Sequence, residues 1–204
     1  MKNGIIKLAL GLLRVNTYVI PRDNGAILID PGAELGEILS CLTELKKKPE
    51  YVLLTHGHYD HIGCVSELKR LGAKVVISET EHELLKKTDF MLGLGVPIDS
   101  FAADITVKDG DKLTLDGLDI TVMSTPGHTP GSVCYFTDGD IAFTGDTLFC
   151  RGMGRYDLPY GNGGELMRSL KKLFALARDM EIYPGHGPTT TLDSERGNIP
   201  YAEF

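Results

Sequence analysis

A chain of 204 residues that is 42% hydrophobic and 24% charged lies in the ordinary range for a soluble globular domain and can bury a substantial core. Its formal net charge of -7 argues against nucleic acid as the main partner, because neutralising a phosphate backbone needs clustered Lys and Arg. No stretch approaches the roughly 20 apolar residues that span a bilayer, and Cys41, Cys64, Cys134 and Cys150 are scattered without a Cys-x-x-Cys pair, which predicts reduced, mostly buried thiols.

The apolar run Ile5 to Leu10 follows Met1-Lys2 in the manner of a secretory signal, but Lys7 and Arg14 interrupt it and no small-residue cleavage pattern follows. The expectation is a cytoplasmic protein with one domain over residues 1–204. From Thr17 to Ile29 the pattern predicts two short strands around Pro21-Arg22-Asp23-Asn24-Gly25, and Asp30-Pro31-Gly32 ends the second. Leu35, Ile38, Leu39, Leu42 and Leu45 recur at helical spacing and predict a helix of about four turns, with Lys46 to Lys48 favouring its negative end and Pro49 stopping it. Tyr51 to Leu54 is a short apolar run suited to a buried strand. A second helix carries Ile62, Val65, Leu68 and Leu71 and closes at Gly72, Ala73 to Ile77 returns as a strand, and Glu79 to Lys87 reads as a charged helix with His82 on its surface.

This is β-α-β-α-β order. From Ile105 to Phe143 short strands are broken by Asp109-Gly110, Asp116-Gly117 and Asp138-Gly139. A helix carrying Leu166, Leu170, Leu173, Phe174 and Ala177 leads to the strand Glu181-Ile182-Tyr183 and then Pro184-Gly185-His186-Gly187, after which the chain looks irregular. Two stretches, Ala26 to His58 and Ile141 to His186, share the plan strand, Asp, loop, helix, strand, histidine, which suggests two similar halves that each place an acid and a histidine at strand ends.

Three of the six histidines crowd into Thr55-His56-Gly57-His58-Tyr59-Asp60-His61. His56 and His58 would point to opposite faces of a strand, so both reach one ion only if the chain turns there, which Gly57 permits. Imidazole and carboxylate suit zinc and other divalent ions, and this run offers four candidates, His56, His58, Asp60 and His61. His128 and His186 each lie in a stiff Pro-Gly frame and alone would read as loop histidines. Asp146, after the strand ending at Gly145, reads as a cap or turn acid or as a ligand, since five neutral imidazoles with one carboxylate leave two divalent ions poorly neutralised. Asp30 fits a turn acid or an acid that orients a ligand histidine, while Cys64 and Cys150 read as packing thiols and Arg155 with Asp157 as a structural ion pair.

These pieces, together with Thr125-Pro126-Gly127-His128-Thr129, Thr144-Gly145-Asp146-Thr147-Leu148-Phe149 and Pro184-Gly185-His186-Gly187, resemble the metallo-β-lactamase superfamily along essentially the whole chain, and within it the glyoxalase II-like hydrolases and the persulfide dioxygenases. The resemblance implies an α/β fold, a four-layer αβ/βα sandwich with the site at one sheet edge. It implies His56, His58 and His128 on one metal, Asp60, His61 and His186 on the other, and Asp146 bridging them. Asp146 in place of cysteine argues against an antibiotic-degrading lactamase, and His58 in place of glutamate against the diiron flavoprotein oxidoreductases. Glyoxalase II proper carries a helical C-terminal domain that grips glutathione; 18 residues follow His186 in this sequence, so glutathione specificity is not part of the expectation.

The implied chemistry is hydrolysis of an ester-like bond in a small molecule, a thioester first, by a hydroxide held between two divalent metals and positioned by Asp60 and Asp146. The metals expected are zinc, with iron or manganese as alternatives. A mononuclear iron persulfide dioxygenase using His56, His128 and Asp146 is the rival, and a non-catalytic metal-binding or interaction module is the third reading.

Overall fold

The computed structural model describes residues 4–87 and 101–199. Two sheets of six strands each form its middle. The first runs, in spatial order, β1 (Ile6–Leu10), β2 (Val15–Pro21), β3 (Ala26–Ile29), β4 (Pro49–Leu53), β5 (Lys74–Ser78) and β6 (Ile105–Val107). The second contains β7 (Lys112–Leu115), β8 (Leu118–Ser124), β9 (Val133–Thr137), β10 (Ile141–Gly145), β13 (Glu181–Pro184) and β14 (Thr190–Thr191), in the order β14-β13-β10-β9-β8-β7. A small hairpin of β11 (Leu148–Phe149) and β12 (Gly152–Met153) follows β10.

Period-two alternation explains the layering. On β2, β3 and β4 the side chains of Tyr18, Ile27, Ile29 and Leu53 face the second sheet and meet Val122, Tyr135, Phe143 and Tyr183. Their neighbours Val19, Leu28, Val52 and Leu54 face outward onto Ile38 and Leu42 of α1 (Leu35–Glu44), Ile62 of α2 (Tyr59–Ile62) and Val65 and Leu68 of α3 (Val65–Arg70). α4 (Glu79–Leu85) follows β5. On the far side, Cys134, Phe136, Ala142 and Ile182 pack on Leu166, Leu170 and Leu173 of α5 (Gly163–Phe174), and α6 (Leu192–Arg196) adds Leu192. The result is a four-layer αβ/βα sandwich.

Each sheet contains a parallel pair, β3 with β4 and β10 with β13, and in each the acid follows the first strand and the histidine the second. The two sheets are stitched at that end, where Val133 N–H donates to Thr55 O at 2.9 Å, Asn16 N–H to Gly185 O at 2.7 Å and the Tyr135 hydroxyl to Leu54 O at 2.9 Å.

Several elements differ from the sequence expectation. Ile6–Leu10 is a strand paired antiparallel to β2. α1 has 10 residues, ends before Lys46, whose φ is 55°, and Pro49 opens β4 rather than stopping the helix. The second helix is two, because the chain at Gly63 and Cys64 presses on the Pro31-Gly32 loop: Cys64 N–H donates to Pro31 O at 2.9 Å, and a Cβ on Gly63 would lie 2.2 Å from Gly32 O. Leu71 is exposed and Ala177 lies beyond α5. The stretch after Gly187 is not wholly irregular, since β14 and α6 lie in it, and its last residues, 200–204, are outside the described ones. No helix among the described residues is long and apolar enough to cross a membrane.

Candidate metal centre

The strand β4 ends at Leu53 and the chain bends at Thr55, so His56, Gly57 and His58 run along the edge of the sheet instead of alternating across it. Gly57 has no positive φ; what it offers is space, because a Cβ would meet Leu85 Cδ2 at 2.8 Å and Glu81 Oε1 at 3.1 Å and those side chains would have to shift. Tyr59–Ile62 then turns as α2 and brings Asp60 and His61 back toward the same point. His128 arrives from the β8–β9 loop, Asp146 from the end of β10 and His186 from the end of β13. All seven residues singled out from the sequence converge here; His82 is not part of the cluster.

The ring nitrogens are oriented from outside. His61 Nδ1 lies 2.9 Å from Asp30 Oδ2, His128 Nδ1 2.6 Å from Arg155 O, and His186 Nδ1 3.1 Å from Leu13 O. His56 Nδ1 lies 3.1 Å from Thr55 Oγ1, and that hydroxyl in turn donates to Asp30 Oδ2 at 2.6 Å. In each case Nδ1 faces an oxygen that can accept its proton, an arrangement that turns Nε2 inward as the atom available to a metal once it is deprotonated. Asp30 resolves as an orienting acid: Thr55 N–H and hydroxyl and His61 use both of its oxygens.

The inner face is short of partners. His56 Nε2, His61 Nε2 and Asp146 Oδ1 are buried without a hydrogen bond, an arrangement that costs free energy unless another group is supplied. Among the described residues, His56, His58 and His128 form one group with ligand atoms close enough for an ion, Asp60, His61 and His186 form another, and Asp30, His56 and His61 form a third whose Asp30 already bonds Thr55 and His61. His58 Nδ1 and His128 Nε2 are 2.8 Å apart, close enough to share a proton. Asp146 stands between the groups, with Oδ1 3.4 Å from His61 Nε2 and Oδ2 3.5 Å from His128 Nε2 and 3.6 Å from His186 Nε2. Asp60 Oδ2 lies 3.3 Å from His186 Nε2 and 3.7 Å from His61 Nε2. Two ligand atoms each about 2.0–2.1 Å from a tetrahedral zinc are about 3.3 Å apart, so these separations suit donors that share a cation.

Electrostatics divide the groups. Burial holds the imidazoles of the first neutral, with help from their histidine neighbours: His56 is driven well below the usual range, His58 down to about 3, and His128 is lowered although Asp146 opposes it. Burial also disfavours charge on His61, but Asp146, Asp30 and Asp60 together overcome it and push it up to about 10. His186 is raised against burial by Asp60 and Asp146, and Asp60, whose burial would raise it, is held at about 2 by His186 and His61.

Gly185 has to be glycine because a Cβ would lie 2.2 Å from Asp146 Oδ1 and 2.8 Å from His61 Cε1. Arg155 and Asp157 pair with each other on the surface, and Cys64 and Cys134 are buried free thiols. Glu81 was missed from the sequence: its carboxylate is fully buried and bonds the loops on both sides of the site.

The metallo-beta-lactamase superfamily model matches residues 10–186. The chain belongs to that superfamily. It is 36% identical over 186 residues to the hydroxyacylglutathione hydrolase GloC of Haemophilus influenzae, covering 88% of each chain. Among solved structures it is similar to BLEG-1, described as a B3 metallo-beta-lactamase (31% identity, TM-score 0.88, 98% of this chain and 100% of that one), and to TTHA1623 in a di-iron-bound form (34%, 0.84, 96% and 99%). ETHE1 from Myxococcus xanthus is similar at 32% identity, with a TM-score of 0.81 and coverage of 97% and 84%. Members of this superfamily are mostly metal-dependent hydrolases, and the His/Asp cluster here is suited to metal.

Proposed function

We propose that this chain, acting as one domain, is a binuclear metal-dependent hydrolase that cleaves an ester-like bond, a thioester first, in a small molecule. The observation that carries the reading is Asp146, whose two oxygens stand within 3.6 Å of imidazoles from both ligand groups. In this reading His56, His58 and His128 hold one ion, Asp60, His61 and His186 the second, and Asp146 joins them. Such ions lower the pKa of bound water toward about 7 and polarise a carbonyl oxygen. Asp60 and Asp146 supply the negative charge that offsets the cations and orient the attacking water. Asp30, through Thr55 and directly, fixes His56 and His61 in the tautomer that presents Nε2.

Zinc is the proposed metal, and the di-iron-bound relative supports iron as the alternative. The thioester is supported by the name of the Haemophilus relative. The likeness to ETHE1 favours the second reading, a persulfide dioxygenase with iron on His56, His128 and Asp146. The likeness to BLEG-1 adds a β-lactam amide to the substrates worth assaying.

The test is metal content per chain in natively expressed protein, with thioester hydrolysis and persulfide-dependent oxygen uptake measured on the same preparation. Two ions and thioester turnover are expected. One iron with oxygen uptake would install the rival, and a chain that takes up no metal in supplemented medium would refute both.

A further inference from the structure

Glu81 lies in the first turn of α4, between the exposed Glu79 and Glu83, yet it is 0% exposed. Burying a carboxylate is expensive unless it is matched by donors. The donors here come from both halves of the molecule. Oε1 accepts from Gly57 N–H at 2.8 Å, and Oε2 accepts from the Thr129 hydroxyl at 2.9 Å and Gly131 N–H at 3.0 Å. Gly57 is the residue between His56 and His58, and Thr129 follows His128.

The packing is shaped around this carboxylate. A Cβ on Gly131 would lie 2.5 Å from Glu81 Oε2 and one on Gly57 3.1 Å from Oε1. Ser78, at the cap of α4, accepts from Glu81 N–H and donates to Gly131 O, so the same helix end grips the β8–β9 loop by its carbonyl as well. Three histidines delivered by two loops from two different sheets therefore share one acidic strut that touches none of them.

We infer that Glu81 is a positioning residue that sets the spacing of His56, His58 and His128 and thereby the metal affinity of that group. This rests on the proposed function only in taking those imidazoles as metal ligands. Glu81→Ala removes all three bonds. Glu81→Gln keeps the shape and an acceptor for Gly57 N–H, while its amide NH2 faces Gly131 N–H, donor against donor.

The experiment is zinc titration against a competing chelator on the wild-type, Glu81→Gln and Glu81→Ala proteins, with thermal melts of the metal-free chains alongside. Partners that orient metal ligands are worth about 10–100-fold in affinity. The expected result is a loss of that size at one of two sites in Glu81→Ala, with the other site within about twofold of wild type, and a smaller loss at the same site in Glu81→Gln. Equal weakening of both sites, or unchanged affinities with only a lower melting temperature, would overturn the inference. If Glu81→Ala does not fold, unchanged zinc binding by Glu81→Gln overturns it alone. A wild-type chain that binds no zinc or iron refutes the metal reading itself, whereas two tight sites that ignore Glu81 refute only the strut.

Discussion

The two ligand groups are neighbours of opposite character. His56, His58 and His128 are buried imidazoles kept neutral by their surroundings, with Asp146 Oδ2 3.5 Å from His128 Nε2. Asp60, His61 and His186 form a network of ions in which three carboxylates hold a proton on His61. One group is ready to donate lone pairs to a cation. The other already contains its positive charge, in the form of protons that a metal must displace. The difference shows that ligand identity alone does not fix a site's behaviour, since the histidines of the two groups differ mainly in how many carboxylates face them.

The strongest way to break the comparison is at the residue the groups share. Asp146→Asn keeps the side-chain size while removing the charge that faces both, so metal content should fall by about one ion per chain and hydrolysis by about a hundredfold or more. Elemental analysis and turnover on the same preparation check this. Full occupancy with near-normal turnover would return Asp146 to the role of a turn acid.

A sharper contrast is in protons. His61, pushed up to about 10, holds a proton at pH 7, so metal affinity of its group should rise with pH toward 10, by about tenfold per unit for that proton, and the raised His186 acts in the same direction. His58 at about 3 and the lowered His56 and His128 carry no such proton, so their group should load with nearly constant affinity above pH 6.5. Zinc calorimetry at pH 7 in two buffers of different ionisation enthalpy counts the protons, and equal release in both binding steps would erase the distinction. The smallest effect belongs to His82, outside both groups, where His82→Gln should leave metal stoichiometry and turnover unchanged in the same assays.

The fold and the cluster were legible where a residue's role is local. Tyr51 to Leu54 announces a buried strand, and four ligand candidates within six residues announce the site. The break between α2 and α3 was hidden because Ile62, Val65 and Leu68 keep helical spacing across it; what splits the helix is the Pro31-Gly32 loop, far off in sequence. Asp30 stayed ambiguous for the same reason, since its partners become neighbours only when β3 pairs with β4. Glu81 was unreadable: its flanks are charged, and only the meeting of two sheets places donors over its carboxylate.

His186 also carries a message about timing. Its ring is tied to Leu13 O across 173 residues, Val15 bridges to it, and the Asn16 amide donates to Pro184 O and Gly187 O. A ribosome delivers β1 and β2 first, but their partner at this spot emerges 168 residues later, so those early residues wait for it with their polar groups on water. Contacts of such span close late and slowly. The group containing His186 is therefore a latch that closes only after Leu13 to Asn16 and Pro184 to Gly187 have met, whereas His56, His58 and His128 need no contact of that span.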